Sequence, residues 1–190
     1  CWRHKKLSDN PISHNVLKSG ATSICTWRNA WGKFFTYTVD EIILFAEPIE
    51  KIFLRAYPDI QNKIKIIPHA VRNYRRTKIR PHDEINIAVL GNISYQKGAG
   101  VIRDMAKKLP TYVNLIIVGE MKDAPDNIHV HGRYNAKKLP RIMEKYQADI
   151  VFIPSIWPET FSYTTSEAIS MALPVACFDM GAPAQRVHAY

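Results

Sequence analysis

The sequence predicts an α/β fold in which a parallel sheet is flanked by helices. Three observations carry that prediction. Short apolar runs at 85–90, 113–118, 150–153 and 175–178 read as buried strands. Between them lie stretches with one apolar face at helical spacing, such as Val101, Ile102, Met105, Ala106 and Leu109. The order strand, polar loop, helix, strand over 150–178 is that of a parallel unit with a right-handed crossover.

The elements follow in chain order. Residues 1 to about 34 show no clear period. Lys5–Pro11 is turn-like, and Trp2, Trp27 and Trp31 need a surface to pack on, either each other or a further domain. A strand is expected within 38–45. A helix follows over 47–57, with Ile49, Ile52, Phe53 and Ala56 on one face, Pro48 in its first turn and Pro58 just beyond it. A short strand spans 63–68. The stretch 74–84 is a basic, proline-containing connector, so one part is expected over 1–81 and a compact domain over 82–190.

That domain opens with the strand 85–90, a turn at 91–94 and a helix over 99–109. The strand 113–118 ends at Gly119, and a third strand over 127–131 ends at Gly132. Leu139, Ile142 and Met143 mark a helix over 139–146. The strand 150–153, a polar loop, a helix over 168–173 with Glu167 early in it, and the strand 175–178 complete the pattern. No substantial helix is expected after 178, where a doubly wound domain would continue. The chain reads as a fragment cut at both ends.

Composition bounds the function. The 190 residues are 46% hydrophobic and 23% charged, ordinary for a globular domain. No apolar run approaches a membrane span. The net charge of +9 asks for an anionic partner: nucleic acid, an anionic membrane surface or an anionic small molecule. Arg72, Arg75, Arg76, Lys78 and Arg80 crowd one segment, which reads as a solvated linker with no nucleic-acid-binding motif beside it. Three cysteines, Cys1, Cys25 and Cys177, give no disulfide framework and point to a reducing compartment. Cys1, His4, His14 and Cys25 lack the paired spacing of a zinc site. Neither a G-x-G-x-x-G fingerprint nor a Walker A sequence is present.

The informative stretch is 154–167. In parallel sheets ligands sit beyond the carboxyl ends of the strands, and a helix N-terminus there is a seat for phosphate. Glu159 lies in the loop and Glu167 near the helix start. Two carboxylates beside a phosphate seat suit a ligand with hydroxyls and phosphates, such as a nucleotide sugar. Thr164-x-x-Glu167 also matches a capping box, in which Glu167 serves only its own helix.

The Glu159-x7-Glu167 spacing, Pro158-Glu159-x-Phe161, Leu173-Pro174-Val175, Met180-Gly181-Ala182-Pro183-Ala184 and Gly91-Asn92-Ile93-Ser94-Tyr95-Gln96-Lys97-Gly98 together resemble retaining glycosyltransferases of family 4. The resemblance runs over roughly 64–187. It implies a Rossmann-like half of a GT-B enzyme, binding a nucleotide-diphosphate sugar without a metal or other cofactor. It implies catalytic roles for Glu159, on the donor-sugar hydroxyls, and Lys97, on the diphosphate leaving group. It implies donor binding by Asn92, Arg133, Tyr134, Phe161, Ser162, Tyr163 and Glu167. Phe161, Ser162 and Tyr163 would give backbone N–H groups to the diphosphate, and Glu167 would hold the ribose. Arg133 and Tyr134 would contact the base, although Tyr134 also reads as a cover for the following helix. Two departures stand out. Asn92 replaces the family arginine of Gly-Arg-x4-Lys, and Ser162 replaces a glycine, which suits a backbone that is not left-handed. His69 is tempting as an acid or base, but the family places a small residue or a backbone contact there.

The expected activity is sugar transfer, with retention, to a glycan or lipid-linked acceptor in bacterial polysaccharide or glycoconjugate synthesis. The expected location is the cytoplasm, with peripheral contact to the inner membrane face and no nucleic-acid partner. The fragment alone should transfer little. Two other readings stay open: a non-catalytic anion- or nucleic-acid-binding module, and a sugar-nucleotide epimerase of GT-B shape.

Overall fold

The structure, a computed structural model, describes residues 23–190. The turn at 5–11, Trp2 and the zinc candidates Cys1, His4 and His14 lie outside the described residues. The chain divides into two compact units. One runs up to Leu44 and takes in Glu50–Ile66; the other takes in Phe45–Ile49 and Ile67–Tyr190. Residues 67–81, grouped by sequence with the first part, thus fall in the second.

In the first unit α1 (Ile24–Tyr37) starts at Ser23, whose hydroxyl accepts the Thr26 N–H at 3.1 Å. The sequence reading assigned no element here. Trp27, Trp31, Phe34 and Phe35 nonetheless recur at helical spacing. Trp31 packs on Trp27 and Phe35 at ring-centroid distances of 5.9 and 5.4 Å, and Phe35 on Phe53 and Tyr57 at 5.3 and 5.1 Å. The tryptophans of this helix therefore find their partners within the unit. Lys63 closes the helix end, donating to the carbonyls of Phe35, Thr36 and Val39 at 3.2, 2.6 and 2.8 Å. Next come β1 (Ile42–Leu44), α2 (Glu47–Ala56), a 3-10 turn (Pro58–Lys63) and β2 (Ile64–Ile66), and β1 and β2 pair in parallel. The division between the units falls inside α2.

The second unit is a five-stranded parallel sheet. Its strands are β3 (Ile85–Ile93), β4 (Val113–Met121), β5 (His129–Val130), β6 (Ile150–Ile153) and β7 (Val175–Cys177), in the order β5-β4-β3-β6-β7. Its helices are α3 (Ala99–Ala106), α4 (Leu139–Lys145), α5 (Tyr163–Ser170) and α6 (Gly181–His188). Both sheet faces are buried, as a parallel sheet requires. Ala88, Leu90, Ile116 and Val118 point into one core with Leu139, Met143 and Met171; Val89, Leu115 and Ile117 point into the other with Ile102.

Four expectations need correction. Strands β3 and β4 run through Gly91 and Gly119, which pair in register, because burial of Ile93 and Met121 beyond them outweighs the poor strand propensity of glycine. The turn expected at 91–94 therefore starts later. Helix α5 begins at Tyr163, five residues before the expected start, so Glu167 sits in its second turn. A helix, α6, does follow the last strand; Pro183 lies in its first turn, where proline is tolerated. Finally, the basic connector is not simply solvated. Tyr74 is buried, Thr77 donates its N–H and hydroxyl to the Met171 carbonyl at 3.0 and 3.1 Å, and Arg75 grips both oxygens of Glu144 at 2.6 Å. Hydrogen bonds from the Arg75 guanidinium bring the Glu144 carboxyl down to about 2.

One feature of the sheet positions the site. The β3–β6 ladder covers only Ile87–Ile150 and Ala88–Val151, after which β3 continues with β4 and β6 with β7. The strand order reverses at this split, the place where ligands bind in open α/β sheets.

Candidate functional site

Two loops meet above the split, one after β3 and one after β6. Their approach depends on Gly98, the residue that opens α3, held at φ 85°. A Cβ there would lie 2.0 Å from the Pro154 carbonyl oxygen. The Ile156 N–H donates to the Gln96 carbonyl at 3.0 Å. This contact places Lys97 Nζ 3.1 Å from Glu159 Oε1, and the Ser155 hydroxyl donates to the same oxygen. Helix α6 supports the loop from another side. The Ala182 N–H donates to the Glu159 carbonyl at 2.9 Å, and a Cβ on Gly181 would come within 2.8 Å of the Glu159 nitrogen.

Glu159 is well buried, its side chain only 13% exposed. Burial alone would raise its carboxyl, but the Ser155 hydroxyl, the Lys97 ammonium and the Ser162 hydroxyl outweigh that and hold it below the usual range. Glu159 is therefore a fixed acceptor at neutral pH and no proton donor. Its share of stability is present above the ordinary carboxyl pKa and is lost as the pH falls below it.

Ser162 opens α5 at φ 65° and ψ 85°, the left-handed region. A serine here suits a backbone that is not left-handed, so the structure departs from that expectation. Serine takes this strained conformation at an order-of-magnitude cost of about 1 kcal/mol. It is over-determined by its surroundings: the Ser162 and Thr165 hydroxyls lie 2.9 Å apart, and the Ser162 carbonyl accepts Arg186 Nη1 at 2.9 Å. The Arg186 guanidinium lies 3.8 Å from the ring centroid of buried Phe161. Tyr163 is half exposed, and the His69 ring stacks on it at 5.6 Å. His69 also meets Phe45 and Phe161, and among the described residues no carboxylate stands at hydrogen-bond distance from it. That environment does not favour an acid or base role.

Glu167 lies one turn further along. Ser162 starts the helix, so the capping box built on Thr164 and Glu167 does not form. The Glu167 carboxylate accepts the Tyr74 hydroxyl at 3.4 Å instead. Burial raises its pKa, against the opposing pull of the Tyr74 hydroxyl and Arg72. A carboxyl raised on folding destabilises progressively as the pH climbs above its ordinary value. Glu167→Gln should therefore raise the melting temperature at pH 8 more than at pH 4, as thermal unfolding at the two values will show.

Tyr134 packs against the core that holds Leu139 and Met143, the covering role foreseen as its alternative. Burial first, then Glu167 and Tyr74, push its hydroxyl up to about 12. Asn92 and Arg133 make no hydrogen bond or ion pair with Lys97 or Glu159. Asn92 is exposed and in register with Glu120, and Arg133 Nε donates to Glu120 at 2.9 Å. The structure thus groups Lys97, Glu159, Phe161 and Ser162 in one place, and Glu167 and Tyr134 around Tyr74. Sequence reading missed Ser155, Tyr74 and Arg186. Arg186 went unseen because its helix did; Ser155 and Tyr74 carried no signal beyond proximity to charged neighbours.

Residues 71–190 match the family described as Glycosyl transferases group 1. The chain belongs to that family. The group 1 fold recurs in solved structures of low identity. A sucrose-phosphate synthase from Thermosynechococcus elongatus is 18% identical, with a TM-score of 0.64, covering 87% of this chain and 48% of that one. HepE from Anabaena in complex with UDP-glucose is 16% identical, with a TM-score of 0.67, covering 86% and 51%. TarM, from S. aureus, is 16% identical, with a TM-score of 0.62, covering 85% and 33%. The chain thus spans about half the length of the first two structures and a third of TarM. No curated protein matches the sequence. Among the described residues no cluster of His, Cys, Asp or Glu could hold a metal ion, and no helix is long and apolar enough to cross a membrane.

Proposed function

We propose that this chain is the donor-binding part of a retaining glycosyltransferase of family 4, which moves a sugar from a nucleotide diphosphate to a glycan or lipid-linked acceptor without a metal ion. The observation that carries this is the Lys97–Glu159 pair at the split of the sheet, next to the N-terminus of α5. A donor laid there would have its diphosphate on the free N–H groups of Phe161, Ser162 and Tyr163. Lys97 would turn from Glu159 to the phosphates and neutralise the charge that grows on the leaving group. Glu159, kept ionised, would accept the sugar hydroxyls, and Glu167 the ribose hydroxyls. Arg133 and Tyr134 would flank the base through their backbone. Neither glutamate then needs to act as a base; a phosphate oxygen of the donor would guide the acceptor. Polysaccharide synthesis in the bacterial cytoplasm, with peripheral contact to the membrane, is the setting that fits this chemistry. HepE was solved with UDP-glucose, so a UDP-sugar is the first donor to try.

The test is a thermal-stability panel with UDP, GDP, ADP and dTDP and their commoner sugars. A ligand that binds only the folded state raises stability according to its concentration over its dissociation constant. The proposal expects a shift with one base, lost in Glu167→Ala. Equal shifts with all four bases, or none with the full-length protein, would contradict it.

A second reading has its own observation. A cleft of about 370 Å³ is lined by Arg72, Arg75, Lys137, Lys138 and Arg141, and among the described residues only Arg75 of these is ion-paired. A module that holds a nucleic-acid backbone would use it. Such binding falls steeply with added salt and ignores base identity, whereas sugar-nucleotide binding depends on the base.

A further inference from the structure

We infer that Arg186 is the second cation of the diphosphate seat, doing from α6 what the resembling family does with an arginine at position 92. The inference rests on the donor reading above. Asn92 is neutral, and the other candidate, Arg133, is held by Glu120 at 2.9 Å on an exposed strand end. Among the described residues that leaves Lys97 as the one cation paired with Glu159 at the seat, unless Arg186 joins it. Arg186 carries the charge and is held beside the seat by two contacts. Nη1 donates to the carbonyl of Ser162, the residue whose following N–H groups open α5. The guanidinium plane is fixed 3.8 Å over Phe161, the first of the three residues assigned to the phosphates. It forms no ion pair within the described residues; burial lowers its pKa, and the nearby Glu159 carboxylate opposes that only in part. Glu159 thus meets Lys97 by contact at 3.1 Å, and its field is felt at Arg186.

A guanidinium carries five N–H donors in a planar fork suited to phosphate oxygens. One of them, on Nη1, is engaged by Ser162, which orients the rest. Charge-assisted hydrogen bonds of this kind are worth about 10- to 100-fold in affinity.

The experiment titrates inorganic pyrophosphate, UDP and uridine into the full chain and three variants. Arg186→Ala should bind pyrophosphate and UDP about 10- to 100-fold more weakly, with uridine affinity unchanged. Arg186→Lys should recover part of the loss, since a lysine keeps the charge but not the fork. The double variant Arg186→Ala with Asn92→Arg should recover only part of it, since Glu120, in register with position 92, competes for the new guanidinium. Unchanged pyrophosphate and UDP affinity in Arg186→Ala would overturn the inference. So would an equal loss for uridine, which would make Arg186 a prop for Phe161 and Ser162, and so would a wild-type chain that does not take up pyrophosphate. If pyrophosphate binds through Arg186 but no nucleoside diphosphate does better, the anion seat stands and the donor reading falls.

Discussion

Gly98→Ala should destabilise the protein by about 3 kcal/mol or more, from a left-handed backbone and a clash added together. The residue sits at φ 85°, where a side chain is strained. The Cβ would stand 2.0 Å from the Pro154 oxygen and 2.7 Å from its carbonyl carbon, and backbone cannot swing aside as a side-chain tip can. Relief requires the two loops to part, and parting them separates Lys97 from Glu159. Stability and donor affinity should fall together. Gly100→Ala is the matched control. It lies two residues on, in α3, with nothing within 4 Å of a new Cβ. There alanine should stabilise by about 0.5 kcal/mol through helix propensity. Chemical denaturation of both variants gives the comparison, and equal stability for the two would refute the close-packing account of the loops.

That packing was not legible in the sequence, although the elements on each side of it were. The apolar runs at 85–90, 113–118 and 150–153 named the central strands because burial on both faces leaves an unbroken apolar signature. Glycine misled at Gly91 and Gly119. In the sequence it reads as a stop, yet the ladder runs on, since strand ends are decided by what the next residues bury. The aromatic helix α1 was hidden for the opposite reason: its signal was present in Trp27, Trp31, Phe34 and Phe35, but their partners Phe53 and Tyr57 lie some twenty residues away. Helix α6 was obscured by its Gly-Ala-Pro opening, which reads as a loop until Gly181 is seen pressed against Glu159.

Lys97→Ala should carry the largest loss of ligand binding, about 100-fold for any nucleoside diphosphate. Two effects add. The phosphates lose a charged donor, and the Glu159 carboxylate loses the ammonium that stands 3.1 Å away. An uncompensated, well-buried negative charge would then face the incoming diphosphate. Binding in this variant should improve as the pH falls through the Glu159 pKa, which itself should rise once Lys97 is gone.

The acidic pair was the most legible part of the candidate site, because Glu159 and Glu167 are spaced by a loop and a helix start in one continuous segment. Their environments were not legible. The sequence could not show that Tyr74, from a basic connector, would reach Glu167, or that Ser155 would share an oxygen of Glu159 with Lys97. Asn92 and Ser162 were recognised as departures from the family pattern. The surroundings of Ser162, with Arg186 on its carbonyl and Thr165 on its hydroxyl, required the third dimension.

The most direct test of the site is calorimetric titration of Glu159→Gln with a nucleotide sugar and with the same nucleoside diphosphate lacking the sugar. The substitution keeps the shape of the side chain but removes the charge that holds Lys97. The account predicts that affinity for the nucleotide sugar falls, while affinity for the bare diphosphate is kept or rises because Lys97 is released to the phosphates. Equal losses for both ligands, or no loss for either, would contradict the assignment of Glu159 to the sugar and Lys97 to the diphosphate.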